Sequence, residues 1–76
     1  MDYRRLAELG ERVRSGLAAP AERDEYMTLL YQNGSITPQQ YRDYQSGRNA
    51  DAIVNAALAV GAVLLIGYLI KAAFSD

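Results

Sequence analysis

The sequence predicts an all-α protein: a short helical N-terminal region of two or three helices with a capped hairpin, then one long C-terminal transmembrane helix. Three observations lead to this fold class. Apolar residues recur at helical spacing near the N-terminus, proline and glycine interrupt the middle of the chain, and residues 52–70 carry no charge. We therefore divide the chain into a helical cytoplasmic interaction region, 1–48, and a transmembrane helix with a short tail, 49–76.

The composition excludes several classes of function. The 76 residues include no cysteine and no histidine, which removes disulfides, thiolate metal sites, and both the usual neutral-pH base and the commonest metal ligand. Basic and acidic residues are interleaved with a net charge of -1, so no nucleic acid partner is expected. No catalytic motif is visible, and we expect no enzyme activity, no cofactor and no small-molecule substrate.

A soluble domain of this length buries too little of its surface to be robustly stable. A bilayer, a partner, or further copies of the chain are therefore expected to stabilise it. This expectation directs attention to the apolar faces of the predicted helices.

The first predicted helix runs from Asp2 to about Ser15, with Asp2 as its cap and Gly16 as its stop. Glu8 and Arg12 are four residues apart and are expected to form an ion pair on its surface. Its apolar residues recur at intervals of three or four and form one stripe: Leu6, Leu9, Val13 and Leu17. This stripe requires a partner surface.

The second and third predicted helices form a hairpin. The second begins at Pro20, where a missing N–H costs nothing, and runs to about Gln32 before Asn33-Gly34 ends it. The third begins at Pro38, because Thr37 and Gln40 have the spacing of a capping box. Ile36 and Tyr41 flank this cap and are placed to form a hydrophobic staple.

The segment 22–46 resembles the SHOCT (short C-terminal) motif. In that family a helix ends in leucines, a glycine turn and a hydrophobic residue with threonine follow, and a second helix carries an aromatic residue. The matching positions, our predicted hairpin contact residues, are Leu29, Leu30, Gly34, Ile36, Thr37 and Tyr41. Tyr44 stands nearest the place of the leucine pair that usually closes the motif. The resemblance implies a role in oligomerisation, often beside a membrane segment.

The segment 52–70 spans about 28 Å as a helix, close to the hydrocarbon thickness of a bilayer. We predict that it crosses a membrane, with Arg48, Tyr68 and Lys71 as interface anchors. The alternative is a helix buried on all sides among copies in an oligomer or filament.

The distribution of basic residues predicts the orientation of this helix. Seven arginines precede it, whereas Lys71 is the basic residue on its other side, so the N-terminus is expected in the cytoplasm. Because a short tail follows Lys71, the protein is expected to be tail-anchored.

The apolar segment contains small residues that favour close helix packing. Most of them project to one side, and Ala57 and Gly61 form a second pair on the face of Tyr68. We expect self-association or partner packing through these positions, since Asn55 lies on the main face. The predicted packing residues are Ala52, Asn55, Ala56, Ala59, Gly61, Ala62 and Gly67.

Three functions are compatible with this architecture. The first is a structural or assembly subunit of a membrane or virion complex, a homo-oligomer or accessory subunit with the bilayer as its partner. The second is a membrane-permeabilising protein such as a holin or toxin, although Asn55 alone does not make a polar stripe. The third is a virion coat or filament subunit. Rapid dye leakage from liposomes distinguishes the second from the first.

Overall fold

A computed structural model describes residues 2–74, within which the chain forms four helices and no strand. They are α1 (Tyr3–Arg14), α2 (Pro20–Gln32), α3 (Pro38–Gln45) and α4 (Ala50–Phe74). The predicted all-α class and the long C-terminal apolar helix are confirmed. The last two residues of the predicted tail, Ser75 and Asp76, lie outside the described residues.

Helix α1 begins at Tyr3, directly after the predicted cap residue Asp2. The Asp2 carboxylate accepts a hydrogen bond from the backbone N–H of Arg5 at 3.0 Å, which satisfies one free donor of the first turn. After the last turn the chain reverses at Gly16, whose φ of 75° suits a residue without a side chain. Leu6 and Leu9 are fully buried, as expected of the predicted stripe.

Two expectations for α1 are wrong. Leu17 is 68% exposed, because the helix ends before it and Gly16 turns the chain away from the stripe. Arg12 does not pair with Glu8; its Nε donates to the Glu22 carboxylate of α2 at 2.8 Å. A partner on a neighbouring helix thus replaces the one expected on the same helix.

The α2–α3 hairpin has the predicted caps. The Thr37 hydroxyl accepts from the Gln40 N–H at 3.0 Å, and the Gln40 side chain accepts from the Thr37 N–H at 2.9 Å. Gly34 has a φ of 74°, which allows the chain to leave α2 in the left-handed conformation. The Tyr41 hydroxyl lies 2.9 Å from the Thr28 hydroxyl and joins the two helices.

One hydrophobic core unites all four helices. Both segments of the predicted division at residue 48 contribute to it, because α4 packs against α1, α2 and α3. Its buried residues are Leu6, Leu9, Tyr26, Met27, Leu30, Ile36, Tyr44, Val54 and Ala57.

Helix α1 lies antiparallel along α4. Tyr3, in its first turn, stacks on Tyr68 near the C-terminal end of α4, with ring centroids 4.4 Å apart and an interplanar angle of 7°. At the other end, Val13 shares a groove with Val54. Helix α1 therefore follows α4 for most of its own length.

Candidate functional site: the apolar helix α4

Helix α4 is long and apolar enough to cross a membrane. It has 25 residues, and its most apolar 18-residue window has a mean hydropathy of 2.4. Of that window 17% is buried within the protein, whereas the core helix of a soluble protein is mostly buried. Most of the apolar surface of α4 is therefore uncovered by the rest of the described chain.

The side of α4 that faces the protein is narrow and regular. Val54, Ala57 and Gly61 are buried, and Tyr68 continues the same stripe under the ring of Tyr3. These positions follow one another at helical intervals, so they form one seam along the helix. We call these four residues the covered seam.

The covered seam is built around the side chain of Tyr26 from α2. Its ring lies between two glycines: a Cβ on Gly10 of α1 would fall 3.3 Å from Tyr26 Cε1, and one on Gly61 would collide with the hydroxyl oxygen. The hydroxyl donates to the Ala57 carbonyl at 3.4 Å. Burial raises the pKa of Tyr26, because the site disfavours the charged form.

Six of the seven predicted packing residues are exposed outside the covered seam, and three of them, Asn55, Ala62 and Gly67, border grooves that α1 also lines. Gly61 is the exception, because Tyr26 occupies the space beside it. The exposed surface of α4 also presents larger apolar residues, with Val63 69% and Ile66 57% exposed. We call the six small or polar positions the uncovered face: Ala52, Asn55, Ala56, Ala59, Ala62 and Gly67.

Four of the six predicted hairpin contact residues belong to the core or pack against it. Leu30 and Ile36 are buried, Leu29 and Tyr41 are half-buried, and the turn and cap residues Gly34 and Thr37 are exposed. The ring of Tyr41 stacks on that of Tyr31 at 4.4 Å. This stack adds an aromatic contact between α2 and α3 to the predicted staple.

The predicted interface anchors differ in their surroundings. Arg48 is exposed in the connection between α3 and α4, and Lys71 is exposed near the C-terminal end of α4. Tyr68 is half covered by Tyr3, so it has a partner within the protein as well as an exposed surface. The anchors thus bracket most of the length of α4.

Ion pairs join α1 to α2 beside the seam. The Arg5 guanidinium donates two hydrogen bonds of 2.8 Å to the Glu25 carboxylate, and Arg12 pairs with Glu22. The hydrogen bonds from Arg5 lower the pKa of Glu25, and those from Arg12 and the Ala19 N–H lower the pKa of Glu22. These carboxylates therefore hold their charge in mildly acidic solution.

Sequence reasoning missed Tyr26, Gly10 and Tyr3 as the residues that occupy the covered seam. Two features of the sequence point to them. The apolar stripe of α1 lacks a partner surface, and the apolar segment offers a surface of similar length at Ala57, Gly61 and Tyr68. From the sequence, that surface was expected to pack on another molecule. The structure assigns it to this chain's own α1 and α2.

Within residues 2–74 no group of three or more aspartate, glutamate, histidine or cysteine residues is placed to hold a metal ion. No protein-family model matches the chain, and no curated protein or solved structure is significantly similar to it. The function is therefore argued from the apolar helix and its surroundings.

Proposed function

We propose that this chain is a non-enzymatic, single-pass membrane protein that acts as a structural or assembly subunit through helix–helix oligomerisation. The observation that carries the proposal is the uncharged, largely uncovered surface of α4, which has the length of a bilayer span. In this proposal the N-terminal helices lie in the cytoplasm, on the side richer in arginine. The SHOCT-like hairpin supplies a protein contact outside the membrane.

The uncovered face supports the oligomeric part of the proposal. Small residues on α4 let a second helix approach closely, and Asn55 offers a hydrogen bond across such a contact. This face is open to a neighbouring copy whether or not the chain's own helices occupy the covered seam.

Alkaline carbonate extraction followed by protease protection tests the membrane proposal. We expect the protein to stay in the membrane pellet and protease added from the cytoplasmic side to digest residues 1–48. Val63→Arg places a charge on an exposed mid-helix position and should release the protein, since such a charge costs about 2.5–3.5 kcal/mol at the bilayer centre. Val63→Ala is the matched control and should stay in the pellet.

A soluble result for the unmodified protein contradicts the proposal. Equal retention of Val63→Arg and Val63→Ala in the membrane pellet also contradicts it, because a charge at position 63 would then not lie in the hydrocarbon core.

A second candidate function is a coat or filament subunit whose α4 is buried among copies. The position of α1 favours it, because α1 already covers one side of α4 and further copies would complete the cover. Electron microscopy of detergent-free protein tests this candidate. Regular filaments or shells would support it, and dispersed monomers would contradict it.

A further inference from the structure

Helix α1 occupies the space that lipid would need around an inserted α4. Its first turn meets Tyr68 and its last turn approaches Val54, so its 12 residues follow α4 for about 18 Å at 1.5 Å per residue. This is more than half of the thickness of the hydrocarbon core. Acyl chains and α1 thus require the same side of α4.

The outward surface of α1 is unsuited to lipid. It exposes charged side chains along its whole length, and four of them are Arg4, Glu8, Glu11 and Arg14. Each would stand at membrane depth if α4 crossed the bilayer with α1 attached, and each carries a large penalty there. The arrangement in the structure and a lipid-surrounded α4 therefore exclude each other.

We propose that α1 and the acyl chains of a bilayer compete for the covered seam of α4, so that membrane insertion requires α1 to leave it. The inference rests on the membrane function proposed above and adds a contact within the protein that controls when α4 can insert. In the covered form α1 shields one side of the apolar helix from water. In the inserted form lipid takes the place of α1 along residues 54–68.

Helix α1 leaves together with α2. Within residues 2–74, the ion pairs between different helices both join α1 to α2, through Glu25 and Glu22. Leu6 and Leu9 also share a core with Met27 and Leu30, which lie on α2. The contact of this unit with α4, in contrast, centres on aromatic rings and small residues.

The connection between α3 and α4 is the pivot. It comprises residues 46–49, in which Gly47 and Asn49 have φ values of 79° and 52°. Glycine and asparagine both tolerate left-handed as well as ordinary backbone angles, so this short segment can change its backbone conformation more easily than the helices that flank it. Movement at the pivot carries α1 away from the far end of α4.

A crosslink between α1 and α4 tests the competition. The chain has no cysteine, so Tyr3→Cys with Tyr68→Cys creates a single reactive pair at the stacked rings. The full chain is made by cell-free synthesis without membranes, joined by a short bis-maleimide, and added to phosphatidylcholine vesicles containing some phosphatidylglycerol. We expect carbonate-resistant insertion to fall at least about tenfold on crosslinking, because each charge held at the midplane costs more than a tenfold change requires.

Thr28→Cys with Tyr41→Cys is the matched control. Their side chains meet between α2 and α3, so the same reagent joins two helices and leaves α1 free to part from α4. Insertion of this variant should not change on crosslinking. The uncrosslinked Tyr3→Cys/Tyr68→Cys protein controls for loss of the two rings.

The outcomes separate the inference from the function on which it rests. Insertion of the crosslinked Tyr3→Cys/Tyr68→Cys protein at the level of its uncrosslinked form overturns the competition and leaves the membrane function standing. Failure of that pair to crosslink, while the control pair does, overturns the covered form itself. If the unmodified protein also fails to insert, the proposed membrane function is wrong and the competition falls with it.

Discussion

Tyr26 places a phenol ring between the backbones of two other helices. Gly10 on α1 and Gly61 on α4 both lack the Cβ that would meet this ring, and only 2% of Tyr26 is exposed. Glycine in a helix interior costs about 1 kcal/mol relative to alanine. At these two positions that cost is offset by burial of a large aromatic side chain.

Gly61→Ala should therefore destabilise the lipid-free protein by about 1–3 kcal/mol, the usual cost of overpacking. Tyr26→Phe removes the hydroxyl oxygen that the new methyl group meets, so it should recover part of this loss in the double variant. Thermal unfolding followed by circular dichroism measures both effects.

Gly67→Ala is the matched control, because no neighbouring atom lies within 4 Å of a Cβ at that position. It should leave the melting temperature unchanged or raise it slightly. Equal melting temperatures for Gly61→Ala and Gly67→Ala would show that Tyr26 does not pack closely against Gly61 of α4.

At the scale of elements, electrostatics joins α1 to α2. The pKa values of Glu22 and Glu25 are lowered chiefly by hydrogen bonds from Arg12 and Arg5. A lowered carboxylate pKa contributes stability that is present above the ordinary value of 4.5 and is lost as the pH falls through the lowered values. Acid should thus loosen α1 from α2.

We expect the melting temperature of the lipid-free protein to fall as the pH is lowered from about 6 to about 3. Glu22→Gln with Glu25→Gln should flatten this dependence, because the two coupled carboxylates are gone. Asp43→Asn is the control, since Asp43 accepts from Gln39 within α3 and does not join helices. A slope unchanged by the double variant would contradict the assignment.

The element boundaries were largely predictable, whereas the packing of the elements was not. Proline, glycine and cap residues act over a few positions, so Pro20, Thr37 and Gly34 marked the hairpin directly. The contact of Gly61 with Tyr26 joins residues distant in sequence, and no local pattern encodes it. Both surfaces of α4 were predicted as packing surfaces, but the covered seam was expected to contact another molecule.

At the scale of the whole molecule, α4 is covered on one side and open on the other. The chain measures 44 × 25 × 16 Å, and α4 accounts for most of the longest dimension. The N-terminal helices lie beside this rod and leave its uncovered face accessible. Association between copies is therefore expected along that face.

Ala59→Leu should raise the dissociation constant of the proposed oligomer about tenfold, because a large side chain keeps neighbouring helices apart. Ala59 is exposed, so the substitution should not disturb the fold of the single chain. Ala59→Ser keeps the residue small and should retain association. Chemical crosslinking in vesicles at graded protein density measures both, and identical oligomer bands for the two variants would contradict a role for this face.

The contact between Tyr3 and Tyr68 also has a consequence for the order of events during biosynthesis. The residues of α1 leave the ribosome before those of α4, and the ion pairs that join α1 to α2 need no residue of α4. Helix α4 would thus join helices that are already paired, and the ring stack would form last because it closes the longest loop. Before that closure, the apolar seam of α4 would be open to water and to any other binding partner.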